Sequence, residues 1–389
     1  DVGGHILPGE NELTSGMTPD EMVVQARGPN LAVLERWIGT FPYDLGTWRA
    51  SGKIHGSPQR IAVDDFVLEM GSRDTFALRA EGRVGNITRS GEAGNEDGRV
   101  DISEVALSAS AYSPDSAHLA ALFDRELPPD HAVSASLVVR GDRQTLEAET
   151  GEITIETGDL TLRATPIKLV LYPDRENPLQ DVAAPFTLEV ADSSALSRYT
   201  VAEVPALGPV RASGNLVQDE SIFRVDDLAL SIAGDRIDLQ AQGHVADLGG
   251  FSGVALSGEF SGLDTRRLFL YLFDELPYDR PLDALQGNFQ VAEAGGKWQL
   301  TDFHLLSSRS GGPLELEAAG SVRDLTGFRA AEIDASIHAR DPALSEAATG
   351  FRMYPGEGRL RIRTDPAEIE VLADLRLGDS ELEGRASVG

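Results

Sequence analysis

The chain has 389 residues, a net charge of −29 and no cysteine. This excludes disulfides and thiolate metal sites, and it disfavours nucleic acid and tight docking of the body on anionic lipid surfaces, both of which call for a basic face. At 41% hydrophobic and 6% aromatic it can line a sizeable interior, yet no segment reaches the roughly 20 apolar residues of a membrane-spanning helix.

Residues 1–29 contain one strand-like piece, at 21–26, read as the end of a truncated preceding repeat. Five repeats follow, at 30–116, 117–193, 194–263, 264–341 and, partial, 342–389. Each opens with a helix-like segment closing on proline: NLAVLERWIGTFP, AHLAALFDRELP, ALSRYTVAEVP, DTRRLFLYLFDELP and ALSEAATGFRMYP. The prolines, Pro42, Pro128, Pro205, Pro277 and Pro355, stand 86, 77, 72 and 78 residues apart. Such a period points to a linear array of similar units.

In repeat one, with Asn30 as helix cap, strands are expected near 47–55, 60–70, 75–85 and 99–112. The acidic loop TRSGEAGNEDG between the last two lacks the regular Asx spacing of a calcium loop. In repeat two the longest candidate strand runs from Leu160 to Tyr172, and Pro166 within it implies an edge position or a break.

Repeat three is the clearest. Four segments alternate apolar and polar residues with period two, separated by the short turns QDES, AGDR and DLGG, so the unit reads as an antiparallel meander. In FRVDDLALSIAG, Phe223 and Val225 are odd, whereas Leu228, Leu230 and Ile232 are even. The slip at Asp226-Asp227 either turns the apolar row over or is absorbed by a bulge, and a bulge keeps one face apolar. The same slip recurs at Asp64-Asp65 in IAVDDFVLEMG and at Thr301-Asp302 in WQLTDFHLLSS. Repeat two, with TLEAETGEITIETGD, has extra residues where the acidic slip belongs.

Repeat four starts at Asp264, a helix cap, followed by Leu268, Leu272, Phe273 and Leu276 at helical spacing, a stripe suited to packing on a sheet. Asp341-Pro342 opens the fifth helix. About twenty strands result, in a mostly β, elongated array of antiparallel meander repeats curled into an apolar groove, with short helices between repeats. A one-faced sheet must cover its apolar side, and five short helices are too few to do so. The residues expected to line the groove are Val210, Leu216, Leu228, Leu230, Ile232, Ile237, Leu239, Val254, Leu256, Phe260, Leu300, Phe303, Leu305, Leu314 and Leu316.

No catalytic constellation appears. The seven histidines show no metal-ligand spacing, GFSG at 250–253 is one residue too tight for a nucleophile elbow, and phosphate-binding glycine patterns are absent. Asp65, Asp227 and Asp302 recur one repeat or more apart, as bulge residues do and a unique active site does not. The chain is therefore expected not to be an enzyme and to need no cofactor or metal.

The order of these motifs resembles the AsmA-like proteins of Gram-negative bacteria, relatives of TamB. The residues carrying the resemblance are Leu268 to Pro277, Gly208-Pro209, Arg211-Ala212-Ser213-Gly214, Val225 to Ile232 and Leu377 to Gly384, and it covers nearly the whole chain from Asn30 onward. It implies a periplasmic segment, tethered to the inner membrane through a segment upstream of this chain, whose β-groove conducts or binds phospholipid acyl chains for outer-membrane lipid transport and assembly. The rival reading is a non-enzymatic scaffold or interaction array for other envelope proteins. The phospholipid would be the partner in the first case and envelope proteins in the second.

Overall fold

The computed structural model describes residues 5–7, 21–29, 46–57, 60–90, 99–118, 130–172, 179–198, 204, 206–219, 222–234, 237–250, 252–263, 284–307, 314–325, 329–339, 356–365, 368–377 and 380–388. They form twenty-two strands and one 3-10 turn, Ser193–Arg198. The chain is mostly β, an array of antiparallel meanders. Its strands group into two units, Asp1–Leu188 with Leu216–Ser221, and Glu189–Asn215 with Ile222–Gly389.

Unit one contains β1 (His5–Leu7), β2 (Glu21–Gly28), β3 (Trp48–Ser57), β4 (Arg60–Ser72), β5 (Phe76–Ser90), β6 (Arg99–Ser113), β7 (Ala132–Gly141), β8 (Leu146–Glu156), β9 (Leu160–Ala164), β10 (Lys168–Leu171) and most of β11 (Leu179–Val190). Neighbours in sequence pair antiparallel from β1 to β9. Tight polar turns join them: Asp142 Oδ1 accepts from the backbone N–H of Gln144 and Thr145, both at 2.8 Å, the self-closing geometry that makes Asp a turn residue.

The strand expected from Leu160 to Tyr172 is broken rather than at an edge. β8 pairs with both β9 and β10, and β11 also pairs with both. Pro166 supplies no N–H, and the ladder resumes around it through Thr165 N–H to Pro185 O (3.0 Å) and Ile167 N–H to Ala183 O (2.9 Å). Proline is thus accommodated inside the sheet by an interruption.

Unit two contains most of β12 (Val210–Asp219), then β13 (Ile222–Gly234), β14 (Ile237–Asp247), β15 (Ser252–Leu263), β16 (Leu285–Ala294), β17 (Lys297–Ser307), β18 (Leu314–Asp324), β19 (Arg329–Ala339), β20 (Gly356–Asp365), β21 (Glu368–Leu377) and β22 (Ser380–Val388). From β13 to β22 every consecutive pair is antiparallel.

The three phase slips are bulges. In β4 the register shifts between Val63 and Phe66, in β13 between Val225 and Leu228, and in β17 between Leu300 and Phe303. At the first two the second aspartate is left-handed, with φ of 48° at Asp65 and 52° at Asp227. Each ties back to the preceding strand: Asp65 to Lys53 Nζ at 2.8 Å, and Asp227 Oδ2 accepting from Asn215 Nδ2 at 3.2 Å. Lys53 and Asn215 hold the same place in the matching stretches RASGK and RASGN. The glycine of this motif gives the bulge its room: a Cβ at Gly52 would come within 2.5 Å of Val63 Cγ1. Repeat two has its bulge as well, since Val138 faces Thr150 while Val139 faces Ala148, leaving Glu149 as the extra residue.

Of the five helix-like segments, four lie wholly or almost wholly outside the described residues, together with their caps Asn30, Asp264 and Asp341. The third begins as the 3-10 turn, capped by Asp192. Among the described residues, two junctions share one clasp. Asp115 Oδ1 accepts from Ala117 N–H (2.9 Å) and Asp130 N–H (3.1 Å), while Ser116 N–H donates to His131 O (2.7 Å). Asp192 accepts from Ser194 N–H (2.9 Å) and Gly208 N–H (3.1 Å), while Ser193 N–H donates to Gly208 O (2.9 Å). The two aspartates are 77 residues apart, the spacing of Pro128 and Pro205.

Candidate functional site

Cross-strand register decides which side chains share a face, because directly opposed residues point the same way. In unit two one face carries Leu228, Leu230 and Ile232 of β13 opposite Gly243, Ala241 and Leu239 of β14. Phe260, Gly258, Leu256 and Val254 of β15 follow, then Gly287, Phe289 and Val291 of β16. Leu305, Phe303 and Leu300 of β17 continue the row, as do Ala318, Gly320 and Val322 of β18. Leu314 and Leu316 face Ala339 and Ile337 of β19, whose Ile333 and Ala335 face Ile362 and Leu360 of β20. The bulges keep this face in phase: Val225 and Leu228 both lie on it although three residues apart.

Burial along this face is graded. Val225, Ile237, Val245, Val254, Leu285 and Val322 are buried, whereas Leu228, Leu230, Ile232, Leu239, Leu256, Phe260, Phe289, Phe303 and Leu305 are only half-buried. Among the described residues no helix and no second sheet layer packs on it. An apolar pocket of 320 Å³ lies there, walled by Ile237, Leu239, Phe260, Phe289, Val291, Leu300, Phe303 and Leu305. Its shape comes from aromatic rings set against glycines. A Cβ at Gly258 would lie 2.8 Å from Phe289 Cζ, so the ring lies over the bare backbone, and the Phe260 and Phe289 rings stand 6.5 Å apart. This pairing covers strand glycine that would otherwise weaken the sheet.

Of the residues expected on this face, Leu228, Leu230, Ile232, Ile237, Leu239, Val254, Leu256, Phe260, Leu300, Phe303, Leu305 and Leu316 share it, and Leu314 holds a register position on it. Val210 is buried on β12, whose Asn215 marks the polar side through Asp227. Leu216, half-buried, belongs to the part of β12 that clusters with unit one. Phe289 and Val291 were not anticipated, although the alternation Asn288-Phe289-Gln290-Val291 is in the sequence.

The opposite face is polar and laced across strands. His304 Nε2 lies 2.9 Å from Glu317 Oε1, Arg361 Nε 2.5 Å from Asp334, Arg363 3.0 Å from Glu332 and Arg385 2.5 Å from Glu370. Exposed pairs of this kind contribute little each. They keep the face hydrated.

One carboxylate breaks the apolar pattern. Glu293 is buried, and it braces the β16–β17 turn: Oε2 accepts from Gly253 N–H and Oε1 from Gly296 N–H, both at 2.5 Å. Compared with known proteins, the chain matches no protein-family model, no curated protein and no solved structure.

Proposed function

We propose that the apolar face binds phospholipid acyl chains and lets them pass along its rows, in a periplasmic segment of an inner-membrane-anchored AsmA-like protein serving outer-membrane lipid transport and assembly. The observation that carries this is the unbroken register of half-exposed Leu, Ile and Phe side chains from β13 to β17, held in phase by bulges. A merely structural sheet gains nothing from a row left half-exposed among the described residues, since each exposed CH₂ forgoes about 0.8 kcal/mol of burial. An acyl chain of about 16 carbons lying on it would gain on the order of 10 kcal/mol before the losses of binding. No reacting group is required, so the role is non-enzymatic.

The test is organic extraction of protein purified without detergent, read by mass spectrometry. Phospholipid in near-stoichiometric amount is the expected result. A clean extract, with no later uptake of fluorescent lipid, would favour the scaffold reading instead.

A further inference from the structure

The polar face of unit one has its own concavity. A cleft of 1320 Å³ runs across β2 to β8, its wall carrying Arg27, Arg49, Arg73 and Arg79 with only Glu69 and Glu152 against them. Arg27 and Arg49 are directly opposed on β2 and β3, a like-charge pair that destabilises a sheet unless an anion lies between. Glu69, directly opposed to Arg49 on β4, is ion-paired with Arg79 rather than Arg49, and Arg79 also holds Glu81 at 3.0 Å. Glu152 stands on β8, five strands along the sheet from Arg49. Among the described residues, Arg27, Arg49 and Arg73 have no carboxylate partner. In a chain with 63 acidic residues against 34 basic ones, three guanidiniums on one cleft without a carboxylate partner among the described residues run against the composition.

We propose that this cleft binds a phosphate-bearing anion through Arg27, Arg49 and Arg73. A phosphate presents several charged oxygens to the planar forks of several guanidiniums, an arrangement one carboxylate does not match. The site lies in the other unit from the apolar rows and on a polar face, so it stands or falls independently of acyl-chain binding. The phosphate can belong to a lipid headgroup or to a soluble ester, and the chemistry of recognition is shared.

The test uses the full chain with three probes: inorganic phosphate, glycerol 3-phosphate, and phosphatidylcholine vesicles containing phosphatidylglycerol, all at fixed ionic strength. Calorimetry and vesicle flotation should show binding that weakens at least tenfold in the Arg27→Gln/Arg49→Gln double variant and in Arg73→Gln. Arg363→Gln, a paired arginine in unit two, should leave it unchanged. In phosphate-free buffer the double variant should melt no lower than the wild type, because it relieves a repulsion. Response to the soluble probes alone assigns a free phosphate ester, and response to vesicles alone assigns a headgroup. No binding to any probe would overturn the proposal, as would equal binding by the variants. So would equal competition from acetate or an acidic peptide, which would make the cleft a generic cation patch.

Discussion

The bulges of β4 and β13 and the bulge of β17 solve one problem in two ways. In the first pair an aspartate takes a left-handed conformation and is tied to Lys53 or Asn215 on the strand before. In β17 neither Thr301 nor Asp302 has positive φ, and the Thr301 hydroxyl instead donates to Gln290 O at 3.3 Å, where the β16–β17 register shifts. What is constant is the outcome: the apolar residues before and after the bulge stay on one face. The continuous apolar row is the feature common to all three, and the backbone geometry delivering it varies.

The largest effect should come from removing the turn brace next to the β17 bulge. Glu293→Ala takes a charged acceptor from two backbone N–H groups and should destabilise unit two by about 2–3 kcal/mol, read by urea unfolding. Glu293→Gln, which keeps one acceptor, should lose less. A loss under about 0.5 kcal/mol in Glu293→Ala would show that the turn holds itself.

Valine separates the two kinds of bulge. Asp227→Val puts a β-branched residue in a left-handed position and removes the bond to Asn215, for a loss of about 1–2 kcal/mol. Asp302→Val should change stability by less than about 0.5 kcal/mol, since its φ is not positive and a β-branched residue meets no left-handed strain there. Glycine should reverse the order: Asp227→Gly near neutral, Asp302→Gly destabilising by about 0.5–1 kcal/mol. Equal responses at both sites would erase the distinction.

The smallest effect concerns the junction clasp. Hydrogen bonds from the Ser194 hydroxyl, the Ser194 N–H and the Gly208 N–H hold the Asp192 carboxyl below its ordinary range. A lowered folded-state pKa stabilises above the unfolded value of about 3.9 and is lost as pH falls through the folded value. Acid unfolding of Asp192→Asn should therefore show a shallower loss of stability below about pH 4 than the wild type. An unchanged acid limb would contradict the clasp's contribution.

Strands and hairpins were legible because one apolar face imposes period two, and bulges were legible wherever the phase slipped. The same rule also marks Glu104 (φ 56°) and Asp181 (φ 53°), where Ile102 gives way to Val105 and Leu179 to Val182. Neither carries the paired acidic or Thr-Asp signature of the slips in repeats one, three and four, so only the change of apolar phase marks them. Ala330 (φ 51°) left no signal, since alanine gives no contrast between faces. The apolar face was readable from its Leu and Ile rows. The setting of Phe289 over Gly258 was not, since it depends on register between strands. Nor was the arginine cleft, because Arg27 and Arg49 meet only through the pairing of β2 with β3.

On the proposed function, the row through Leu230 is an open path for acyl chains. Lipid transfer between vesicles by Leu230→Glu, set against Ser231→Glu on the polar face and checked by thermal unfolding, tests it most directly. Leu230 is half-exposed, so the carboxylate can stay hydrated and the fold should survive while transfer fails, with Ser231→Glu unaffected in both. A folded Leu230→Glu protein that transfers lipid at the normal rate would contradict the account, and so would one that unfolds, which would make this face a closed core.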